Sequence, residues 1–168
     1  MRCIAIAAVT IDGKIALDTS HFSDWTSKED KDFLRGMLDQ SDVVVVGNNT
    51  YKTAIEPLSK RNCVVFTASV RTSEHMGDTL TYCNPASSDC VPLLEKYGTV
   101  AVLGGTKTYT WFLDNDLLDE LYLTIEPLVF GRGLPLFESS KNINAQFKLE
   151  STKRLNEKGS LLLHYIKL

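Results

Sequence analysis

Two segments of the chain combine glycine with polar residues, directly after an apolar run and directly before a helical pattern. Residues 47–50, GNNT, follow the valine-rich run DVVVV, and residues 104–107, GGTK, follow VAVL. Glycine lacks the Cβ that would keep an anion away from the backbone, and a helix N-terminus offers unpaired N–H groups to phosphate. A tight turn or a helix cap explains either segment alone equally well. Two such segments on neighbouring strands favour a nucleotide cofactor.

Asp30 is the acidic residue whose position most favours chemistry. It follows Ser27 at the S-x-x-D spacing of a helix cap. It also stands at i, i+4 and i+7 with Leu34 and Met37, on the apolar side of the predicted helix. Burial there would raise its pKa by desolvation, and would require a donor partner or a ligand. Helix capping and a role in a binding site both remain open for this carboxylate.

The elements that must position these residues alternate along the chain. Apolar runs predict strands at residues 4–9, 42–47, 63–67, 79–83 and 100–103, and periodic segments predict helices at residues 27–40, 92–97 and 107–113. Long strands follow at residues 120–127, 146–155 and 160–168, with a turn at 156–159. This order predicts one α/β domain over residues 1–168. Its central sheet is mostly parallel, with helices on both faces and a C-terminal antiparallel hairpin.

Composition narrows the classes of function. With 168 residues and a net charge of -3, the chain has no basic footprint for nucleic acid and no apolar run that would span a membrane. The N-terminus has the pattern of a first strand rather than a signal peptide. The 4 cysteines lack C-x-x-C spacing, so reduced thiols in the cytoplasm are expected, with Cys3 and Cys63 in the core. The 3 histidines lack H-x-x-x-H pairing, so no metal site is expected.

The order of these motifs resembles the dihydrofolate reductase superfamily, which includes the reductase domain of riboflavin biosynthesis. IAAVTIDGKIA resembles its first strand and the mobile loop over the nicotinamide, and Trp25 and Asp30 have its W-x-x-x-x-D spacing. VVVVGNNTYKTAIEPLSKRNCVVFT and VLGGTKTY resemble its two phosphate-loop regions, and LYLT resembles the strand whose threonine supports the active-site acid. The resemblance covers nearly the whole chain and implies the superfamily's fold, with NADPH as cofactor.

The resemblance also implies a role for each matching residue. The catalytic residues it implies are Asp30, Trp25 and Thr124. The cofactor contacts it implies are Ala8, Ile15, Ala16, Gly47, Asn48, Asn49, Thr50, Thr67, Ala68, Ser69, Gly104, Gly105, Thr106, Lys107, Thr108 and Tyr109. The substrate contacts it implies are Ala8, Asp30, Leu34, Thr53, Arg61 and Thr124. Arg61 would hold the carboxylate of a folate tail by a forked contact, and a solvated charge beside Lys60 is the alternative.

Two branches of the superfamily differ in substrate. DLLDELYLTIEPLVFGRGLPLF resembles the riboflavin-reductase branch. Residues 50–62 instead resemble dihydrofolate reductases, without the D-D-P-containing insertion of riboflavin reductases. Trp25, Asp30, Arg61 and Thr124 together favour a pterin, so reduction of 7,8-dihydrofolate to tetrahydrofolate is the expected activity. The alternatives are a riboflavin-biosynthesis reductase of a ribosylamino-pyrimidine phosphate and a non-catalytic nucleotide-binding module.

A few positions depart from the superfamily's pattern. Asn48 and Ala68 stand where relatives place arginine and serine against the 2′-phosphate of NADPH. The resemblance therefore supports dinucleotide binding more strongly than a preference for NADPH over NADH. The candidate substitutes are Lys107, Thr67, Ser69 and Arg71. The expected partner is a small molecule, pterin or pyrimidine, with neither nucleic acid nor membrane. Exposed edges of the long C-terminal strands would allow a homodimer.

Overall fold

Eleven strands and five α-helices follow one another in a computed structural model that describes residues 1–168. The strands are β1 Arg2–Thr10, β2 Lys14–Ala16, β3 Val43–Gly47, β4 Cys63–Phe66, β5 Ser73–His75, β6 Leu80–Cys83, β7 Thr99–Val102, β8 Glu120–Glu126, β9 Leu134–Pro135, β10 Phe147–Arg154 and β11 Leu161–Lys167. The helices are α1 Lys28–Asp39, α2 Asn48–Thr53, α3 Ile55–Leu58, α4 Cys90–Leu94 and α5 Thr106–Asp114. None of these helices has the length and hydrophobicity needed to cross a membrane.

Nine of the strands form one sheet in the order β10-β11-β8-β1-β7-β3-β4-β6-β5. The strands from β8 through β6 pair in parallel, and β11 pairs antiparallel with both β8 and β10. The predicted parallel α/β sheet with a C-terminal antiparallel hairpin is therefore confirmed. The sequence did not predict the antiparallel edge strand β5 or the separate β2–β9 pair. These strands are too short, at two or three residues, to show a period of two.

The central strands bury side chains on both faces, which is why their sequences are continuous apolar runs. On one face, Val45 and Val102 pack with Leu94 of α4 and Phe112 of α5. On the other face, the core residues include Ile4, Val44 and Val46, with Leu38 of α1 and Leu58 of α3. Helices on both faces of the sheet are thus confirmed. Helix α4 begins at Cys90, earlier than predicted, so Pro92 lies within its first turn, where a missing N–H is tolerated.

The expectation of four reduced thiols is wrong for one pair. Cys83, at the end of β6, and Cys90, at the start of α4, form a disulfide whose Cα atoms are 6.1 Å apart. The chain reverses between these cysteines, a proximity that no cysteine-spacing motif indicates. Cys3 and Cys63 are free and buried, as predicted. Burial is the main cause that raises the pKa of each of these two thiols to about 12, so they behave as core residues.

Candidate active site

The two glycine turns meet at the carboxyl edge of the sheet. Because β3 and β7 are paired, the Gly47 N–H donates to the Gly104 carbonyl at 2.7 Å. A Cβ on Gly47 would lie 3.0 Å from the Thr108 hydroxyl. Helices α2 and α5 begin at this junction, immediately after Gly47 and Gly105. The turns therefore form one continuous surface, at the edge where parallel α/β sheets bind ligands.

The two consecutive glycines of the second turn have different reasons to be glycine. Gly104 has a φ of 89°, and a Cβ on it would lie 2.4 Å from the Tyr109 ring. Its replacement is therefore blocked by the protein itself. Gly105 has an ordinary φ of -72°. A Cβ there would meet only the Thr50 hydroxyl at 3.8 Å and Ile15 Cδ1 at 3.9 Å. Gly105 thus borders open space beside the first turn of α5, whose leading N–H groups lack intrahelical partners.

Helix α1 is capped without the carboxylate of Asp30. The Ser27 hydroxyl accepts the Asp30 N–H at 3.2 Å. In a complete capping box, the acid at Asp30 would in turn accept the Ser27 N–H. That N–H instead donates to Oε1 of Glu126, at the end of β8, at 2.7 Å. The capping hypothesis for the Asp30 carboxylate is therefore not supported, and the carboxylate is free for another contact.

The Asp30 carboxyl group is buried, and its pKa is raised above the ordinary value, first of all by desolvation. Hydrogen bonding to the Thr124 and Thr26 hydroxyls acts in the opposite direction, and the charge of Glu126 raises the pKa further. Asp30 takes part in none of the ion pairs in the structure. A buried acid without a cationic partner can receive N–H donors from a ligand.

Aromatic side chains and a short strand pair also lie toward the carboxyl ends of β1 and β8. Trp25 packs edge-on against Phe130, with ring centroids 5.1 Å apart. The Tyr109 hydroxyl donates to the Ile6 carbonyl at 2.7 Å, and burial together with the Asp30 charge raises the Tyr109 pKa. Strand β9 holds β2 so closely that a Cβ on Gly133 would lie 2.3 Å from the Ala16 carbonyl oxygen. Strand β2, which contains Ile15 and Ala16, is thereby held by β9, and Ile15 lies beside Gly105 of the second turn.

The remaining predicted residues fall into four groups. Ala8 pairs with Thr124 across β1 and β8, beside Asp30, and Leu34 packs against the core on the same helix as Asp30. The Thr67 and Ser69 hydroxyls lie 3.0 Å apart after β4. Residues that expose side chains or backbone around the two turns are Asn48, Asn49, Thr50, Ala68 and Lys107, whereas Thr106 and Thr108 are buried. Thr53 is exposed and donates to the Thr50 carbonyl at 2.9 Å.

The structure does not bring Arg61 to Asp30. It precedes β4 at the amino edge of the sheet, forms an ion pair with Asp39, and donates to the Pro57 carbonyl at 2.6 Å. Asp39 ends α1, nine residues from Asp30, which corresponds to roughly 13 Å along the helix. Only a ligand with a long tail would contact both Asp30 and Arg61.

Glu126, Phe130 and Gly133 were not predicted as site residues. They follow Thr124 in the segment IEPLVFGRG. The glycines of this segment indicate a turn, but nothing in the sequence indicates its contacts with α1 and β2. No cluster of three or more histidine, cysteine or acidic residues is arranged to hold a metal ion.

A comparison with known proteins shows the family to which this chain belongs. Residues 3–160 match the family model described as the RibD C-terminal domain. This chain is a member of the RibD C-terminal domain family. The family belongs to the dihydrofolate-reductase-like superfamily, and its members are NADPH-dependent reductases. The protein is therefore an NAD(P)H-dependent oxidoreductase, and the non-catalytic alternative is not supported.

Individual relatives of this RibD C-terminal domain protein extend over its whole length. It is similar to the uncharacterized protein YwjB of Bacillus subtilis (strain 168), with 27% identity over 99% of this chain and 98% of that one. Among solved structures, a putative riboflavin biosynthesis protein from Shewanella sp. PV-4 matches with a TM-score of 0.77 at 20% identity, over 100% of this chain and 99% of that chain. A Thermotoga maritima diaminohydroxyphosphoribosylaminopyrimidine deaminase/5-amino-6-(5-phosphoribosylamino)uracil reductase matches with a TM-score of 0.73 at 19% identity, over 99% of this chain and 56% of that chain. These structural matches confirm the fold.

Proposed function

We propose that this protein uses NADPH to reduce a ribosylamino-pyrimidine phosphate, the class of substrate in the reductase activity of the Thermotoga maritima relative. The main support is the family match over residues 3–160, which includes the segment DLLDELYLTIEPLVFGRGLPLF. This proposal replaces the expectation of dihydrofolate as the primary substrate. The sugar ring of the ribosylamino-pyrimidine phosphate first opens to an imine: its ring C–O bond breaks, and the amine proton moves to the released oxygen. The reaction then transfers hydride to the carbon of this C=N bond and a proton to its nitrogen.

The residues at the glycine turns fit a dinucleotide. The open space at Gly105 and the first turn of α5 would accept the pyrophosphate, and the exposed Lys107 supplies a positive charge nearby. The Thr67 and Ser69 hydroxyls would contact the adenosine phosphate. When bound, the cofactor supplies the hydride, and strand β2, which contains Ile15 and Ala16, would orient its reactive ring.

Asp30 would hold the nitrogen-bearing edge of the substrate heterocycle. Its carboxylate accepts N–H donors, and burial strengthens such a contact because water is excluded. The Thr124 hydroxyl orients the carboxylate from β8. Trp25 and Phe130 would limit access of bulk water to one side of the ring. The proton for the reduced nitrogen would come from water, while the ring contact to Asp30 positions the C=N carbon for hydride.

Dihydrofolate is the second candidate substrate. The specific observation in its favour is the buried Asp30 carboxylate beside Thr124 and without a cationic partner, since a pterin presents an amidine-like edge to an acid. The short segment at residues 50–62 also favours it. Against it stands the ion pair of Arg61 with Asp39, because that arginine would have to exchange its partner to bind a folate tail.

A direct test follows oxidation of NADPH by absorbance with each substrate in turn. We expect turnover with the ribosylamino-pyrimidine phosphate and at least about tenfold lower kcat/KM with 7,8-dihydrofolate, a difference of about 1.4 kcal/mol. The reverse order would make the protein a dihydrofolate reductase. NADH in place of NADPH measures the cofactor preference. We also propose a cytoplasmic location, where NADPH-dependent biosynthesis takes place.

A further inference from the structure

We propose that Glu126 is a positioning residue for Asp30: it holds the first turn of α1 from strand β8 and thereby leaves the Asp30 carboxylate free to face the substrate. The proposal rests on the role of Asp30 in the proposed function. It assigns a task to a buried acid that touches neither glycine turn and that the reduction itself does not use.

The contacts of Glu126 support this role. The residue is only 3% exposed. Its Oε1 accepts the Ser27 N–H at 2.7 Å, and its Oε2 accepts the Ser160 hydroxyl. The first bond replaces the one that Asp30 would make in a capping box. If Asp30 accepted the Ser27 N–H, its carboxylate would have less capacity to accept donors from a ligand. Because Glu126 of β8 accepts this N–H, the Asp30 carboxylate stays available to the ligand.

The turn of the C-terminal hairpin holds Ser160, which donates to Glu126. The Asn156 side-chain oxygen accepts the Gly159 N–H at 3.1 Å and the Ser160 N–H at 3.2 Å. Its amide group donates to the Ser160 hydroxyl at 3.0 Å and to Glu29 of α1 at 3.3 Å. The hairpin turn, the end of β8 and the start of α1 therefore form one hydrogen-bonded unit, which fixes the position of the helix that contains Asp30.

Glu126 also acts on Asp30 through its charge. The charged and titratable groups that face Asp30 are Lys31 on its own helix, Glu126 on β8 and Tyr109 on α5. Lys31 favours the ionised acid, whereas Glu126 disfavours it, in the same direction as desolvation. Removal of the Glu126 charge should therefore make Asp30 easier to ionise, an effect that a purely structural residue would not produce.

Strand β8 provides a matched control. Glu120 lies on the same face of the strand and is also buried. It accepts two side-chain donors, Arg2 and His164, whereas Glu126 accepts one backbone N–H and one hydroxyl. It is six residues from Glu126, which is roughly 20 Å along a strand. Glu120→Gln therefore removes a buried acid from the same strand without changing the surroundings of Asp30.

The test is a titration of aspartate carboxyl carbons by NMR in protein labelled with ¹³C-aspartate. The Asp30 signal is assigned by its loss in Asp30→Asn. In Glu126→Gln, an amide oxygen still accepts the Ser27 N–H while the charge is lost. We expect the Asp30 midpoint to fall by on the order of one pH unit in Glu126→Gln and to stay unchanged in Glu120→Gln. An unchanged midpoint in Glu126→Gln, or an equal fall in both variants, would overturn the proposal.

Turnover measurements then separate positioning from charge. We expect Glu126→Ala, which loses both acceptors, to reduce kcat/KM roughly tenfold or more at unchanged NADPH affinity. Glu126→Gln should recover most of that loss. If Glu126→Ala does not fold, Ser160→Ala with intact Glu126 replaces it, with a smaller fall in kcat/KM expected and no fall contradicting the hairpin's part. An inactive wild type would refute the proposed function, whereas the NMR comparison would still decide the role of Glu126.

Discussion

Buried acids lie at both ends of strand β8, and their surroundings are opposite in one respect: only the acid at the amino end forms ion pairs. At the amino end, Glu120 accepts from Arg2 and from His164, the latter at 2.8 Å, and the Arg2 hydrogen bond is the main cause that lowers its pKa. At the carboxyl end, Glu126 and Asp30 meet hydroxyls and one backbone N–H but form no ion pair, and desolvation raises the pKa of Asp30. A buried acid that forms an ion pair stabilises the fold, and a buried acid that forms none is available to a ligand.

The largest expected effect is on turnover. Asp30→Asn keeps the shape of the side chain but removes the negative charge of Asp30, next to the carboxyl end of β8. We expect turnover at neutral pH to fall by about 10²-fold or more, because the substrate ring loses the charged acceptor that positions its C=N carbon. NADPH affinity, measured by fluorescence titration, should be unchanged. Glu120→Gln serves as the control and should turn over normally, and equal losses in both variants would erase the distinction between the two ends.

The second effect concerns the adjacent glycines beside this site. Gly105→Val should raise the Kd for NADPH by at least about tenfold, because its side chain fills the open space next to α5. Its melting temperature should change little, since a Cβ there makes only ordinary contacts. Gly104→Ala should instead lower the free energy of unfolding by about 1–3 kcal/mol, because of its positive φ and the Tyr109 ring. Normal NADPH affinity in folded Gly105→Val would reduce both glycines to a turn.

A third measurement compares the two ends of helix α1. Arg61→Ala removes the ion pair with Asp39, which lies roughly 13 Å from Asp30 along α1. We therefore expect kcat/KM for the ribosylamino-pyrimidine phosphate to change less than about twofold. If Arg61→Ala instead lowers kcat/KM for dihydrofolate but not for a pterin without the glutamate tail, that result would support the second candidate. Such a contact to a charged group is worth about 1.5–3 kcal/mol.

The smallest expected effect is on stability, and its sign differs between the two acids. The pKa of Asp30 is higher in the folded protein than in the unfolded chain. Its contribution to stability is therefore least favourable at neutral pH, where the carboxyl group is ionised in both the folded and the unfolded protein. We expect Asp30→Asn to be more stable than the wild type at that pH. The lowered pKa of Glu120 gives stability that is present above its unfolded pKa of about 4.3 and is lost as pH falls through the folded value. Glu120→Gln should therefore be less stable at neutral pH, with the difference shrinking in acid. Urea unfolding at several pH values measures both, and shifts of the same sign would contradict the comparison.

The sequence predicted those features that depend on local pattern. Valine runs indicated the buried strands, the S-x-x-D spacing located the start of α1, and the glycine turns indicated the ligand edge. It did not predict contacts between distant segments. The bond from Ser27 to Glu126 joins residues 99 positions apart, and the Cys83–Cys90 disulfide depends on a chain reversal without a signature. For the same reason the role of Arg61 could not be judged before its partner Asp39 was known.

The pH dependence of single-turnover hydride transfer tests the central claim most directly, that Asp30, a buried acid without an ion pair, governs reduction. In the wild type, the rate should titrate with a pKa above the unperturbed aspartate value of about 3.9, because burial raises the pKa of Asp30. In Asp30→Asn this titration should be absent, and the remaining rate should increase toward low pH, where the substrate is protonated in solution before it binds. The same titration in wild type and Asp30→Asn would contradict the account, because another group would then control the transfer.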